Sequence, residues 1–144
     1  MPTHAEQRIL PHRPDQMFDL VADVGRYPEF LPWCIGARVR SQTDTLLIAD
    51  LIIGFKGIRE SFTSHVSLNR NDMTIDVSYQ DGPFKYLNNN WKFRSIESDH
   101  CTLDFYVDFE FKSRIMQRLI EMLFGEAVRR MVRAFEERAA SLYG

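Results

Sequence analysis

Alternation of apolar and polar positions is cleanest near the end of the chain. Cys101, Leu103, Phe105, Val107, Phe109 and Phe111 share one parity, and Thr102, Asp104, Tyr106, Asp108 and Glu110 take the other. A period of two sends successive side chains to opposite faces, so this segment is a half-buried strand. Five more strands follow from the same reading upstream. Ile35, Ala37 and Val39 alternate with Gly36, Arg38 and Arg40. Leu46 to Ile53 is apolar on both faces except for Asp50, the pattern of a strand covered on both sides or nearly so. Ile58, Phe62, Val66 and Leu68 share a parity, as do Met73, Ile75, Val77 and Tyr79, and then Leu87, Trp91 and Phe93. Thr3 to Leu10 alternates weakly and reads as an edge strand stopped by Pro11. Turns fall at Gln42-Thr43-Asp44, Gly54-Phe55-Lys56-Gly57, Asn69 to Asp72, Asp81-Gly82-Pro83 and Glu97 to His100. Such short turns join antiparallel neighbours.

The period changes twice. Pro14 suits the first turn of a helix, Met17, Phe18, Val21 and Ala22 follow at helical spacing, and Gly25 marks its end. Two prolines limit Tyr27 to Trp33 to about one helical turn. From Ser113, a good N-cap, to about Leu142 no proline occurs and the spacing is helical, which predicts a rod about 45 Å long. The sum is an α+β fold: a curved antiparallel sheet of six or seven strands around a long C-terminal helix, with one or two short helices after the first strand.

That helix carries more apolar surface than one sheet face covers. Met116, Ile120, Phe124, Ala127, Val128, Met131, Phe135, Ala139 and Leu142 form an ordinary stripe of roughly 140°. Arg114, Arg118, Arg129, Arg133 and Glu136 lie opposite. Ile115, Leu119, Met122 and Leu123 widen the arc to about 200° in the first three turns. A loop, a ligand, a membrane surface or another subunit must meet the surplus. Tyr27, Phe30, Trp33, Phe55, Phe84 and Tyr86 fall in connecting segments, where large apolar residues mark either a binding rim or the cap of an open sheet end. The inward Phe62, Trp91, Phe93, Phe105 and Phe109 read as core or cavity wall. Glu60 shares the parity of Ile58 and Phe62, so it points inward, sits in a bulge or lies at the wet end of the sheet.

Composition narrows the classes. The chain has 144 residues, the length of one domain spanning 1–144, with 44% hydrophobic and 26% charged residues. A net charge of −2 gives no bulk positive field toward DNA. No apolar run approaches the roughly 20 residues of a membrane span, and no basic-then-apolar leader opens the chain, so a cytoplasmic location is expected. Cys34 and Cys101 are expected to be reduced and buried. His4, His12, His65 and His100 lack the spacing of a metal site. Phosphate-loop, dinucleotide, nucleophile-elbow and HExxH motifs are missing. A binding fold without metal, cofactor or catalytic residue is the resulting expectation.

Several segments carry a family likeness. They are Tyr27-Pro28-Glu29-Phe30-Leu31-Pro32-Trp33-Cys34, Glu60-Ser61-Phe62-Thr63-Ser64-His65-Val66, and Asp81-Gly82-Pro83-Phe84-Lys85-Tyr86-Leu87 with Trp91-Lys92-Phe93. Asp108-Phe109-Glu110-Phe111 and the stretch from Met131 to Ala139 complete the set. In this the chain resembles the coenzyme Q-binding family of the START-like, helix-grip superfamily, which also holds polyketide cyclases and dehydrases. The resemblance implies a hydrophobic cavity between sheet and helix, a polyprenyl quinone such as ubiquinone as bound ligand, and a non-catalytic carrier or chaperone role in respiration or quinone biosynthesis. Bacterial members are also known as ribosome-association toxins, so a ribosome-binding inhibitor is the alternative. An aromatase/cyclase-like enzyme is a third, and needs a polar pair in the cavity such as Glu60 with Asp50 or His65. The expected ligand-binding residues are Tyr27, Phe30, Trp33, Phe55, Phe62, Phe84, Leu87, Trp91, Phe93, Phe105, Phe109, Ile115, Met116, Leu119, Met122 and Leu123. The segment from Tyr27 to Trp33, with Phe55, Phe84, Ile115, Leu119, Met122 and Leu123, would form the entrance. That rim would make peripheral contact with the inner membrane, Arg114 and Arg118 meeting anionic head groups.

Overall fold

The computed structural model describes all residues except 1, 2, 56, 98 and 144, and omits the side chains of Phe55, Ile58, Gln80 and Asp81. Strand β1 (Thr3–Leu10) leads into helix α1 (Pro14–Ala22) and a 3-10 helix (Val24–Glu29). Six strands follow: β2 (Cys34–Gln42), β3 (Leu46–Phe55), β4 (Ile58–Asn69), β5 (Thr74–Asp81), β6 (Phe84–Ile96) and β7 (His100–Phe111). Helix α2 (Arg114–Tyr143) closes the described chain. The strands form one antiparallel sheet in the order β1-β7-β6-β5-β4-β3-β2. This is the curved sheet and long helix that the alternation predicts.

Local chemistry explains the boundaries. Pro14 opens α1, where its missing N–H costs nothing. Ser113 Oγ accepts the amide of Met116 at 3.3 Å, which caps α2. Gly25 does not end α1. That helix stops at Ala22, and Gly25 lies inside the 3-10 helix that Pro28 tightens. Phe84 and Tyr86 lie in β6, not in a loop, because the β5–β6 connection shrinks to Gly82-Pro83 with Gly82 at φ +150°. Only glycine takes that conformation without strain.

The main core joins α1, the inner faces of β5, β6 and β7, and the second half of α2. Phe18, Ile75, Phe93, Leu103, Val128, Val132, Phe135 and Ala139 are buried in it. A smaller cluster of Phe84, Phe109 and Phe111 packs under Met116, Ile120 and Phe124, in the first half of the helix. Leu142 departs from the expected stripe and stands 51% exposed. Tyr143 reaches the core instead, its hydroxyl donating to the Gln16 carbonyl at 3.0 Å. β3 is closed on one face only. Leu47 and Ala49 are buried on the helix side, whereas Ile48 and Ile52 are half-buried on the outer side, where Ile35 is 51% exposed. Among the described residues no helix covers that outer face beside the edge strand β2.

Candidate functional site: an apolar hollow under the long helix

Between the two clusters the sheet and α2 stand apart around a cavity of about 340 Å³. Its walls come from β3 to β7, from the segment after α1, and from Met116, Leu119, Ile120, Ala127, Met131 and Phe135 of α2. Strand parity builds the wall: residues two apart on adjacent strands point the same way, so Phe62, Leu87, Trp91, Phe105 and Phe109 converge on one space. Their rings interlock edge to face. Trp91 lies 4.8 Å from Phe105 and 5.1 Å from Phe135, and Phe84 lies 5.2 Å from Phe62 and 5.7 Å from Phe109.

Ten of the sixteen expected residues line this space: Tyr27, Trp33, Phe62, Phe84, Leu87, Trp91, Phe105, Phe109, Met116 and Leu119. Phe55 falls outside the described side chains. The others sit elsewhere. Phe93 is 2% exposed and stacks on Trp91 on the core side. Phe30 packs edge-on against Phe135 at 5.2 Å, with the Arg138 guanidinium over its ring. Ile115 and Met122 are 79% and 82% exposed, because helical spacing places them about 180° from the buried stripe. Leu123 is half-buried at the helix flank and is not among the lining residues. The wide apolar arc is therefore divided, with Met116, Leu119 and Ile120 facing the hollow and Ile115 and Met122 facing solvent.

Few polar atoms reach the wall, and most are committed to the protein itself. The Tyr27 hydroxyl donates to the Val21 carbonyl, and burial pushes its phenol well above the usual tyrosine range. Cys34 Sγ donates to the Gly36 carbonyl at 3.5 Å, and burial raises its thiol pKa. Ser64, 1% exposed, donates weakly to the Ala49 carbonyl at 3.5 Å. Trp91 Nε1 donates to Asn89 Oδ1 at 2.7 Å, and Asn89 Nδ2 donates to the Tyr106 carbonyl at 2.8 Å. Ser64 and Asn89 are lining residues that the sequence reading overlooks. The signal for them is a polar residue standing on an apolar parity.

The polar pairs that a cyclase would need do not meet in the hollow. Register places Glu60 opposite Ile53, half-buried and outside the described lining. Asp50 and His65 take the other parity and lie on the outer face. There Asp50 accepts hydrogen bonds from Thr63 Oγ1 and Arg40 Nε, each at 2.7 Å, and these hold its carboxyl below the usual carboxylate range. Among the described residues no cluster of three or more His, Cys, Asp or Glu is placed to hold a metal ion. No described helix is long and apolar enough to cross a membrane.

Comparison with known proteins agrees with this geometry. Residues 10–136 match the family model described as polyketide cyclase / dehydrase and lipid transport. The chain is 39% identical over 135 residues to the ribosome association toxin RatA of Rickettsia prowazekii, covering 92% of each chain. It is 37% identical over 144 residues to the mitochondrial coenzyme Q-binding protein COQ10 homolog B of Xenopus laevis, covering 98% of this chain and 59% of that protein. A START superfamily protein from Mycobacterium smegmatis superposes with a TM-score of 0.82 at 18% identity, over 97% of this chain and 98% of that one. In sequence, then, the chain belongs to the polyketide cyclase / dehydrase and lipid-transport family, and its fold is that of the START superfamily protein.

Proposed function

We propose that the protein is a carrier for an apolar molecule of the polyprenyl-quinone class, held in the hollow between the sheet and α2, and that it performs no catalysis on this guest. The observation that carries the reading is the hollow itself: about 340 Å³, walled by aromatic and aliphatic side chains, with no carboxylate among its described lining residues. Such a wall rewards burial of prenyl surface at about 25 cal/mol per Å². The volume lies at the low end of ligand pockets, roughly 300–1,000 Å³. It suits a ring and the first part of a tail, and the remainder must leave past the helix. Leu119 lies on the wall near the start of α2, where the tail would leave, and the rim would touch a membrane surface only peripherally.

Organic extraction of the purified protein, followed by mass spectrometry, tests this reading. A prenyl quinone should be recovered, and protein stripped of it should take it up again from vesicles. Leu119→Asp should abolish uptake, while Met122→Asp, altering a residue 82% exposed and off the wall, should leave it intact. Failure of stripped protein to take up any prenyl quinone refutes the carrier reading.

A second reading rests on the outward face of α2. Arg118, Arg129 and Arg133 are exposed there around Ile115 and Met122, and none makes an ion pair among the described residues, whereas the neighbouring Arg130 is tied to Glu126 at 3.0 Å. Free guanidinium groups in a row suit phosphate, and the RatA relative is named for ribosome association. Cosedimentation with large ribosomal subunits that falls steeply with salt, and is lost in Arg118→Glu with Arg129→Glu, would support a cytoplasmic ribosome partner. Unchanged cosedimentation in that variant would remove it.

A further inference from the structure

Among the few polar groups on the wall of the hollow, one is an amide held in a fixed orientation. Asn89 projects from the middle of β6 between Val77 of β5 and Val107 of β7, its register partners on either side, and all three line the cavity. A strand position flanked by valines on a buried face favours an apolar side chain, so an amide there calls for a reason. Its orientation is set by its partners. Trp91 Nε1 only donates, so the oxygen Oδ1 must face it, and the Tyr106 carbonyl only accepts, so Nδ2 must face that. An asparagine amide offers two N–H groups and two oxygen lone pairs. These bonds use one of each. One N–H remains for an acceptor in the cavity, on a side chain that its two clamps hold against rotation. Ser64 does not share this task, since its single hydroxyl proton is given to the Ala49 carbonyl.

We infer that Asn89 is the head-group anchor of the site: its free N–H donates to a carbonyl oxygen of an otherwise apolar guest, and thereby selects a prenylated quinone over a prenyl hydrocarbon of the same length. The inference rests on the carrier reading and adds direction to it. The carbonyl-bearing ring lies deep, against the centre of the sheet, and the tail runs outward along α2.

The test is competition, by a short-chain prenylated benzoquinone or by a prenyl hydrocarbon of equal chain length, for an environment-sensitive apolar dye held by the stripped protein. One hydrogen bond in a dry site is worth up to about tenfold in affinity, so the wild-type protein should prefer the quinone by about that factor. Asn89→Leu should erase the preference and leave hydrocarbon affinity unchanged or higher. Because that change orphans Trp91 Nε1, the double variant Asn89→Leu with Trp91→Phe removes both partners and protects the fold. Trp91→Phe alone keeps the amide and should keep part of the preference. If the Asn89 variants retain the full preference, or the wild-type protein shows none, the anchor is refuted while the carrier reading stands. If neither competitor enters the wild-type protein, the carrier reading falls and the anchor with it.

Discussion

Replacing Val77 by phenylalanine separates a hollow from a solid interior by the sign of one number. Val77 is half-buried on the inner face of β5, lines the cavity, and pairs with Val66 and Asn89 on the strands beside it. Valine and phenylalanine are both good strand formers, so the backbone is nearly indifferent to the exchange. If the neighbouring space is empty, the larger ring enters it without displacing anything. Full burial of a phenylalanine contributes about 1.5–3 kcal/mol, and the valine already supplies part of this, which leaves a net gain of about 1–2 kcal/mol. At about 3 °C per kcal/mol for a domain of this size, the melting temperature of guest-free protein should rise by about 3–6 °C. Quinone uptake should fall in the same variant, because the ring occupies the guest's space. Were the interior already filled, overpacking would cost about 1–3 kcal/mol and the melting temperature would drop. Calorimetry on stripped protein together with a vesicle-uptake assay reads both quantities. A lowered melting temperature with uptake preserved would refute the cavity, and with it the carrier reading.

Other perturbations have equally definite signs. At Gly82, φ is +150° and an added Cβ would lie 2.4 Å from Phe62 Cβ and 3.0 Å from the Ser61 carbonyl oxygen, so Gly82→Ala should cost about 2–4 kcal/mol by urea unfolding. A loss well under 1 kcal/mol would show that the turn is not constrained as described. Hydrogen bonds from Thr63 and Arg40 depress the Asp50 pKa, so the stability they lend is complete above the unfolded value of about 4 and disappears as pH falls through the lower folded value. The gap in urea midpoint between wild type and Asp50→Asn should therefore be widest near neutrality and close as pH falls through the lowered folded value. Burial raises the Cys101 thiol to about 11 and also raises that of Cys34, so a thiol reagent at neutral pH should label neither until the protein opens. A bound guest should slow Cys34 further, because that residue lines the cavity.

The fold was legible where one physical constraint ruled a whole segment. β7 is half-buried along its full length, so its parity never wavers, and Ser113 announces α2 by the hydrogen bond it later makes. Legibility fails where geometry interrupts the count. A bulge between Phe84 and Tyr86 breaks the alternation at the start of β6, which is why that stretch reads as a loop. Depth along a strand is not written in parity either. Trp91 and Phe93 share a face two residues apart, yet one borders the hollow and the other lies in the core. Nor does apolar character distinguish a helix residue over a cavity from one in solvent, as Leu119 and Met122 show. The polar anchor was the hardest to see. Asn89 sits among three successive asparagines, and although it shares the parity of Leu87, Trp91 and Phe93, the two bonds that orient its amide are not written in the sequence.

The strand order has a consequence for how the molecule is made. Every neighbouring pair in the sheet joins segments consecutive in the chain, with one exception: β1 lies against β7, pairing Thr3 with Asp108. Five hairpins can zip up one after another as the polypeptide lengthens, each closing a short loop at small entropic cost. The earliest strand has no such option. It waits unpaired until more than a hundred residues have emerged, and its docking is the event that joins the first strand of the chain to the last.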